Sequence, residues 1–191
     1  MTTQTITGLT EIRWHGRGGQ GAVTSAEVVA KAAIAEGKYG QAFPAFGPER
    51  RGAPVLAFDR VDTKNPIRVR AEIRQPDVVI VLDPTLLRVI KVTTGLKDGG
   101  CLIINTKKTV EQIKAEVGGS WKIAVCDATS IARELLGVNI VNTTMLGALL
   151  KAVPVVSMHS MVEPLEERFG KMADRNFNAL KRAYETTVVK E

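Results

Sequence analysis

The sequence predicts an α/β fold: a single-domain, mostly parallel sheet with helices on both faces. Short apolar runs alternate with helical patterns along the chain, and this alternation is typical of a parallel sheet covered by helices. The run Val-Val-Ile-Val-Leu at 78–82 is continuously apolar and β-branched, as expected of a central strand buried on both faces. The length of 191 residues, with 45% hydrophobic and 24% charged residues, suits one globular domain over 1–191.

A glycine turn and a long helix organise the first third of the chain. The helix is predicted over 22–36 because Val23, Ala26 and Val29 recur at helical spacing, and Gly37 ends it as a C-terminal cap. Strands follow from short apolar runs between turn signals. The predicted strands and extended segments of this part are 11–15, 39–46, 54–61 and 78–82, and the turns are 16–21, 47–52 and 65–66.

The rest of the chain alternates strands with capped helices, which completes a Rossmann-like three-layer pattern. Asp83-Pro84 predicts a helix to about residue 92, because a capping residue precedes a proline at the first helical position. The glycine turn, Asp83, Asn105 and Asp127 all follow strands and should share the carboxyl edge of the sheet, where ligands bind in such folds. The remaining predicted strands are 101–105 and 123–126, and the remaining helices are 110–117, 127–136, 142–151, 158–169 and 173–188.

The charge pattern disfavours a nucleic-acid binder. The formal net charge is +6, with 11 basic and 7 acidic residues between Glu11 and Arg74, around the glycine turn. A nucleic-acid binder would show a basic helix or stripe with aromatics, whereas only 5% of residues are aromatic. An anionic small molecule or an acidic partner face fits this distribution better.

Cysteine usage and hydropathy predict a reduced, cytoplasmic protein. Cys101 and Cys126 are too few for a disulfide framework or an iron–sulfur cluster, and are expected to be buried thiols. The first ten residues lack the features of a signal peptide, and no apolar run is long enough to span a membrane. Neither His15 nor His159 has cysteine or carboxylate neighbours at ligand spacing, so no metal is expected.

The glycine turn, HGRGGQG at 15–21, satisfies the G-x-G-x-x-G pattern between a strand and a helix. Such a turn lets backbone N–H groups approach a phosphate at a helix N-terminus. A dinucleotide site also needs an acid near the end of the second strand, and the segment 39–46 contains none. No Lys-Ser/Thr pair follows the turn, which excludes a P-loop. Two interpretations of the glycine turn remain: it binds another anionic ligand, or it is a structural turn that packs against a partner.

Longer motifs carry a family resemblance. The stretch AFPAFGPERRGAPV at 42–55 combines prolines, glycines and an arginine pair, and RQPDVVIVLDPTLL and NTTMLGA follow at 74–87 and 142–148. With HGRGGQG, these motifs resemble those of the gamma subunits of pyruvate and related 2-oxoacid:ferredoxin oxidoreductases (the pyruvate synthase family). The resemblance covers about residues 11–152, and it makes the whole chain, 1–191, one gamma-family domain.

The resemblance implies an enzyme that converts a 2-oxoacid and coenzyme A to acyl-CoA, CO2 and reduced ferredoxin. It implies alpha, beta and delta partner subunits, or fused equivalents, that hold thiamine diphosphate, Mg and 4Fe–4S clusters. This chain would then bind no cofactor tightly, contribute no catalytic residue, support assembly and serve coenzyme A access. Neither nucleic acid nor membrane is an expected partner.

The candidate ligand residues lie in the two glycine-containing loops. Arg17, Gly18, Gly19 and Gln20 are hypothesised to contact coenzyme A. Glu49, Arg50 and Arg51 would either assist that contact or face a partner subunit. Two alternatives remain open: a stand-alone coenzyme A- or nucleotide-binding domain, and a purely structural subunit with an empty glycine loop.

Overall fold

The computed structural model describes residues 8–45 and 52–191, which form one seven-stranded sheet and six α-helices. The strands are β1 Leu9–Arg17, β2 Tyr39–Pro44, β3 Pro54–Asp62, β4 Val78–Val81, β5 Cys101–Asn105, β6 Lys122–Cys126 and β7 Val188–Lys190. The helices are α1 Ala22–Ala35, α2 Val110–Val117, α3 Ala128–Leu136, α4 Asn142–Ala152, α5 Val162–Phe169 and α6 Ala173–Thr186. Short 3-10 turns lie at Pro84–Arg88, His159–Met161 and Gly170–Met172.

The sheet is mostly parallel at its centre and antiparallel at both margins. The strand order is β2-β3-β1-β4-β5-β6-β7. Strands β1, β4, β5 and β6 run parallel, whereas β3 pairs antiparallel with both β1 and β2, and β7 pairs antiparallel with β6. The predicted α/β class is thereby confirmed.

Helices cover both faces, as the continuous apolar strands require. On one face Trp14, Ile80 and Ile103 form a core with α1, α3, α4, α5 and α6. On the other face Val79 and Ile104 pack against α2 and the turns that follow β4. Alternate residues of β4 and β5 therefore serve separate cores, which is why both strands are apolar except for Asn105 at the end of β5.

The two helices α4 and α6 approach each other unusually closely. An ideal Cβ added at Gly147 would lie 1.9 Å from the carbonyl oxygen of Leu180. Only a residue without a side chain fits this crossing, so the Gly in the NTTMLGA motif has a packing role.

Arg13 explains one difference from the predicted elements. The helix expected from Pro84 to about residue 92 is a 3-10 turn that ends at Arg88. Arg13 Nη2 donates to the carbonyl oxygens of Val92 at 2.9 Å and Thr94 at 2.6 Å. These carbonyls are thus bound by a buried side chain of β1, and the chain forms turns over the sheet instead of a longer helix.

The first strand and the C-terminus also differ from expectation. Strand β1 continues to Arg17, because β3 pairs with it as far as Pro54 opposite Arg17. The last helix ends at Thr186, where the hydroxyl of Thr187 donates to the carbonyl of Ala183, and the final residues pair with β6 as β7. A strand of three residues is too short to show a periodic pattern in the sequence.

Candidate functional site

The glycine turn lies at the carboxyl edge of the sheet, between β1 and α1. Gly16 and Arg17 still belong to the strand, so the turn is confined to Gly18–Gly21. Gly19 and Gly21 have φ values of +91° and +77°, which residues with a side chain rarely adopt. Helix α1 begins directly after Gly21 and has no side-chain cap. Its first N–H groups are therefore not capped by a side chain of the helix terminus.

A network centred on Asp83 fixes the turn. Asp83 Oδ2 accepts from Arg17 Nε at 2.9 Å and from Gln20 Nε2 at 3.3 Å. Asp83 Oδ1 accepts from the backbone N–H of Thr85 at 2.9 Å and from its hydroxyl at 2.7 Å. Gln20 Oε1 in turn accepts from the backbone N–H of Arg17 at 2.7 Å. The network ties the end of β1 to the segment after β4.

The ionisation of Asp83 follows from these contacts. Burial raises the pKa of Asp83, but hydrogen bonds from Thr85, Arg17 and Gln20 outweigh it and hold the pKa below its usual range. Asp83 follows the strand parallel to β1 and is the one acid that the described residues place on the glycine turn. Both of its oxygens already accept from protein donors, so it is not available to bind a ribose. The geometry thus supports the argument against a dinucleotide site.

Arg17 has a structural role and a partly free guanidinium. Besides Asp83, its Nη1 donates to the carbonyl of Gly52 at 3.0 Å and its Nη2 to the hydroxyl of Thr85 at 2.9 Å. A guanidinium has five N–H donors, so two have no partner in the described part of the chain. The side chain is 29% exposed. It can still meet an anion beside the turn while holding the second loop in place.

A groove of about 340 Å3 opens beside the glycine turn. One end is formed by Gly19, Gly21 and Thr24, and the walls come from the α3–α4 loop and from the region where α5 meets α6. Its apolar lining includes three residues that are exposed to solvent: Val138 at 45%, Ile140 at 43% and Met172 at 39%. Exposed apolar side chains that share one concave surface favour a ligand or partner.

Polar groups in the groove are few and well placed. Arg168 Nη2 donates to the hydroxyl of Thr24 at 3.3 Å, which holds its positive charge near the start of α1. Asn142 is of a type that often caps a helix, but Val141 occupies the cap position of α4 and Asn142 is its first residue. Asn142 instead lies against the turn, since a Cβ at Gly21 would come within 2.5 Å of its Nδ2. The groove therefore combines an apolar wall with one cation, Arg168, and two amides, Asn142 and Asn176.

The other strand-end residues have structural partners. Asn105 Nδ2 donates to the carbonyl of Leu82 and to the hydroxyl of Thr129, both at 2.9 Å, and its Oδ1 accepts from the N–H of Thr129. Asp127 caps α3 by accepting from the N–H of Ser130. These contacts join the ends of β4, β5 and α3. Asn105 and Asp127 thus act as connectors at the sheet edge.

His15 and the two cysteines are buried. The Nε2 of His15 accepts from Arg13 Nε at 3.0 Å; burial, then the charge of Arg13, lowers the His15 pKa to about 3. Burial raises the pKa of Cys101 to about 12 and that of Cys126 to about 11. His15 is consequently neutral and both thiols are protonated at neutral pH, which removes them as nucleophiles.

Three of the predicted site residues belong to the second loop, after β2. Glu49, Arg50 and Arg51 fall outside the described residues, so their contacts stay a prediction. Within 8–45 and 52–191, no group of three or more His, Cys, Asp or Glu side chains is placed to hold a metal ion. No helix in these same ranges is long and apolar enough to cross a membrane.

The sequence analysis predicted the glycine turn but not the residues that form the walls of the groove. Arg17 and Gln20 do meet Asp83, as their shared strand edge predicted. Arg168 and Met172 gave no signal, because they lie far along the chain in the region where α5 meets α6. Val138 and Ile140 gave a weak one: two apolar residues in a loop whose exposure the sequence could not reveal.

Comparison with known proteins agrees with this architecture. The sequence matches the pyruvate ferredoxin/flavodoxin oxidoreductase family over residues 11–186. The chain therefore belongs to that family.

Relatives of nearly the same length within this family are gamma, or PorC, subunits. The chain is 53% identical to the pyruvate/ketoisovalerate oxidoreductases common subunit gamma of Thermococcus litoralis, over 95% of this chain and 98% of that one. It is 50% identical to pyruvate synthase subunit PorC of Methanothermobacter thermautotrophicus, over 92% and 94%. The crystal structure of pyruvate oxidoreductase subunit PORC from Thermotoga maritima is 39% identical, with a TM-score of 0.85 over 97% of this chain and 100% of that one.

Proposed function

We propose that this chain is the gamma subunit of a cytoplasmic 2-oxoacid:ferredoxin oxidoreductase of the pyruvate synthase type. The complex would oxidise a 2-oxoacid with coenzyme A to acyl-CoA, CO2 and reduced ferredoxin. The observation that carries the proposal is the 53% identity to a gamma subunit over 98% of that subunit's length. A match over the whole of a single subunit supports the same place in the same kind of assembly.

The chemistry is assigned to partner subunits. Alpha, beta and delta chains, or fused equivalents, would carry thiamine diphosphate, Mg and the 4Fe–4S clusters that perform decarboxylation and electron transfer. The described residues of this chain fit a supporting role, because its thiols are buried and protonated and its histidine at the sheet edge is neutral. Pyruvate is the first choice of substrate and 2-oxoisovalerate the second, since a relative is named as common to both enzymes.

Coenzyme A access is assigned to the glycine turn and the groove beside it. The pantetheine arm is long and has methylene and dimethyl segments between its two amides, and these apolar segments suit the wall formed by Val138, Ile140 and Met172. The phosphates are anionic, which suits Arg168, the remaining N–H donors of Arg17 and the start of α1. Gly19, which lines the groove, would let the ligand approach the backbone at that point, whereas the N–H groups of Gly18 and Gln20 already donate to the carbonyls of Ala53 and Arg17 and would only shape the turn.

Steady-state kinetics of the whole complex test the coenzyme A assignment. Arg168→Ala and Ile140→Ser should each raise the KM for coenzyme A, by about tenfold for a lost charge-assisted contact, and leave the KM for the 2-oxoacid unchanged. Val89→Ser is a matched control, because Val89 is 60% exposed but lies after β4, away from the groove. Arg17→Ala should weaken coenzyme A binding with decarboxylation of the 2-oxoacid intact.

The outcomes separate the parts of the proposal. An unchanged KM for coenzyme A in both groove variants would contradict the proposed coenzyme A site but not the assignment as a gamma subunit. A chain that purifies alone, without activity or partners, would instead favour a stand-alone coenzyme A- or nucleotide-binding domain. Normal assembly and full activity without any contact to coenzyme A would favour a structural subunit with an empty glycine turn.

A further inference from the structure

The segment between β3 and β4 carries a concentrated positive charge. Residues 63–75, hereafter the basic strap, contain four cations and one acid. The difference, four minus one, is +3, which is half of the chain's formal net charge of +6 in 13 residues. All of these charged side chains are exposed; they are Lys64, Arg68, Arg70, Glu72 and Arg74.

In the described part of the chain, the cations of the strap form no ion pairs. None of the four forms an ion pair or a side-chain hydrogen bond with residues 8–45 or 52–191. Some exposed cations elsewhere are paired, as Lys31 with Glu167 at 2.7 Å and Lys108 with Glu116 at 2.6 Å, and others are single; the strap differs because four cations without ion pairs lie within residues 64–74. Like charges gathered without counter-charges repel one another and raise the local potential. The strap thus carries a positive charge that the described residues of this chain do not neutralise.

The backbone of the strap is nevertheless held in place. Arg60, buried on β3, donates to the carbonyl oxygens of Val69 at 2.9 Å and Ala71 at 2.8 Å and pairs with Glu11 at 2.9 Å. Ile73 is buried with two phenylalanines of β2 and β3. A segment fixed in this way loses little further backbone freedom when it binds a partner.

We propose that the basic strap is a docking surface for an acidic face of another subunit of the same enzyme. The inference rests on the proposed function for the source of that partner. Val69, 59% exposed between Arg68 and Arg70, adds apolar contact to the charge, as protein interfaces do. Residues 63–75 contain no aromatic side chain on which a base could stack, which disfavours a single-stranded nucleic acid.

Salt-dependent assembly tests the docking surface. The tagged chain is co-expressed with the other subunits, captured, and washed with NaCl from about 0.05 M to about 0.5 M. The double variant Arg68→Glu/Arg70→Glu should bind the partners at least about tenfold more weakly at low salt, because two attractions become repulsions. Arg68→Lys/Arg70→Lys keeps the charge and should restore assembly. Thermal unfolding of the isolated variants checks that they fold.

A matched charge reversal controls for net charge. Lys114→Glu/Lys181→Glu makes the same change of charge on exposed residues of α2 and α6 and should assemble like the wild type. Assembly of the strap variant with wild-type affinity and salt dependence would overturn the docking proposal and leave the subunit assignment intact. Retention of assembly with loss of nucleic-acid binding would also overturn it and assign the strap to a nucleic acid. A wild-type chain that captures no partner would instead defeat the proposed function.

Discussion

Asp83→Asn should loosen the glycine turn and lower the stability of the chain. Asparagine keeps one oxygen for Thr85 but presents an NH2 group to the donors of Arg17 and Gln20, which now face another donor. The ion pair at 2.9 Å and the hydrogen bond at 3.3 Å are both lost. Both bonds are charge-assisted, because the carboxylate is ionised, and each contributes about 1.5–3 kcal/mol, with the longer Gln20 bond at the lower end; the free energy of unfolding should therefore fall by about 3 kcal/mol.

Thermal and urea unfolding measure this change. In a chain of this size about 3 kcal/mol corresponds to a Tm lower by about 6–12 °C. The wild type should also lose stability in acid through Asp83: its folded pKa is depressed, so the stabilisation is present above the unfolded pKa and disappears as pH falls through the folded pKa. Asp83→Asn should lack this acid-dependent component.

A second carboxylate provides the control for Asp83. Asp127 also caps a short element, but its cation, Lys107, is 3.7 Å away and 76% exposed. Asp127→Asn should therefore cost less than about 1 kcal/mol. Equal effects of the two substitutions, or an unchanged Tm in Asp83→Asn, would refute the reasoning about the network.

Three further substitutions test the core and its polar contacts. Glu36→Gln should destabilise the chain by about 1–2 kcal/mol at neutral pH and hardly at all near pH 2. Burial raises the pKa of Glu36, but hydrogen bonds from Lys38, Ser160 and Ser157 outweigh it and lower the pKa to about 2. A difference in urea unfolding that stays constant across pH would contradict this. Gly147→Ala should cost at least about 2 kcal/mol despite its better helix propensity, because the methyl group meets the Leu180 carbonyl, and a stabilised variant in thermal unfolding would contradict the close crossing. Burial raises the pKa of Asp59 well above its usual value, and the hydrogen bond from Trp14 lowers it only in part. Its contribution to stability is therefore present below the unfolded pKa and lost as pH rises toward the folded pKa. Asp59→Asn should remove this fall of stability, and parallel pH profiles of the two proteins would be the contrary result.

The sequence predicted those parts of the fold that depend on local pattern. The apolar run of β4 and the capped helix after Asp127 follow from periodicity and capping alone, and both were confirmed. The motifs around the glycine turn and the second loop indicated the family, which the comparisons confirmed. The proximity of Arg17 to Asp83 also followed, because both lie at the carboxyl edge of parallel neighbours.

Features that depend on distant residues could not be predicted in this way. The helix expected after Asp83 is cut short by Arg13, a residue about seventy positions earlier whose burial no local pattern reveals. The groove joins a loop near Val138 to the segment around Met172 through the packing of α4 on α6. The strap's backbone is held by Arg60 of β3 and by the burial of Ile73 against Phe43 and Phe58, and no local pattern in the strap marks these distant contacts.

Purification of the tagged chain from native anaerobic extract tests the central claim most directly. The eluate is assayed for reduction of a viologen dye that depends on both a 2-oxoacid and coenzyme A. The account predicts an active complex with co-purifying subunits that contain thiamine diphosphate and iron–sulfur clusters, and the preferred 2-oxoacid would identify the substrate. A colourless chain that elutes alone and without activity would contradict the assignment as a gamma subunit.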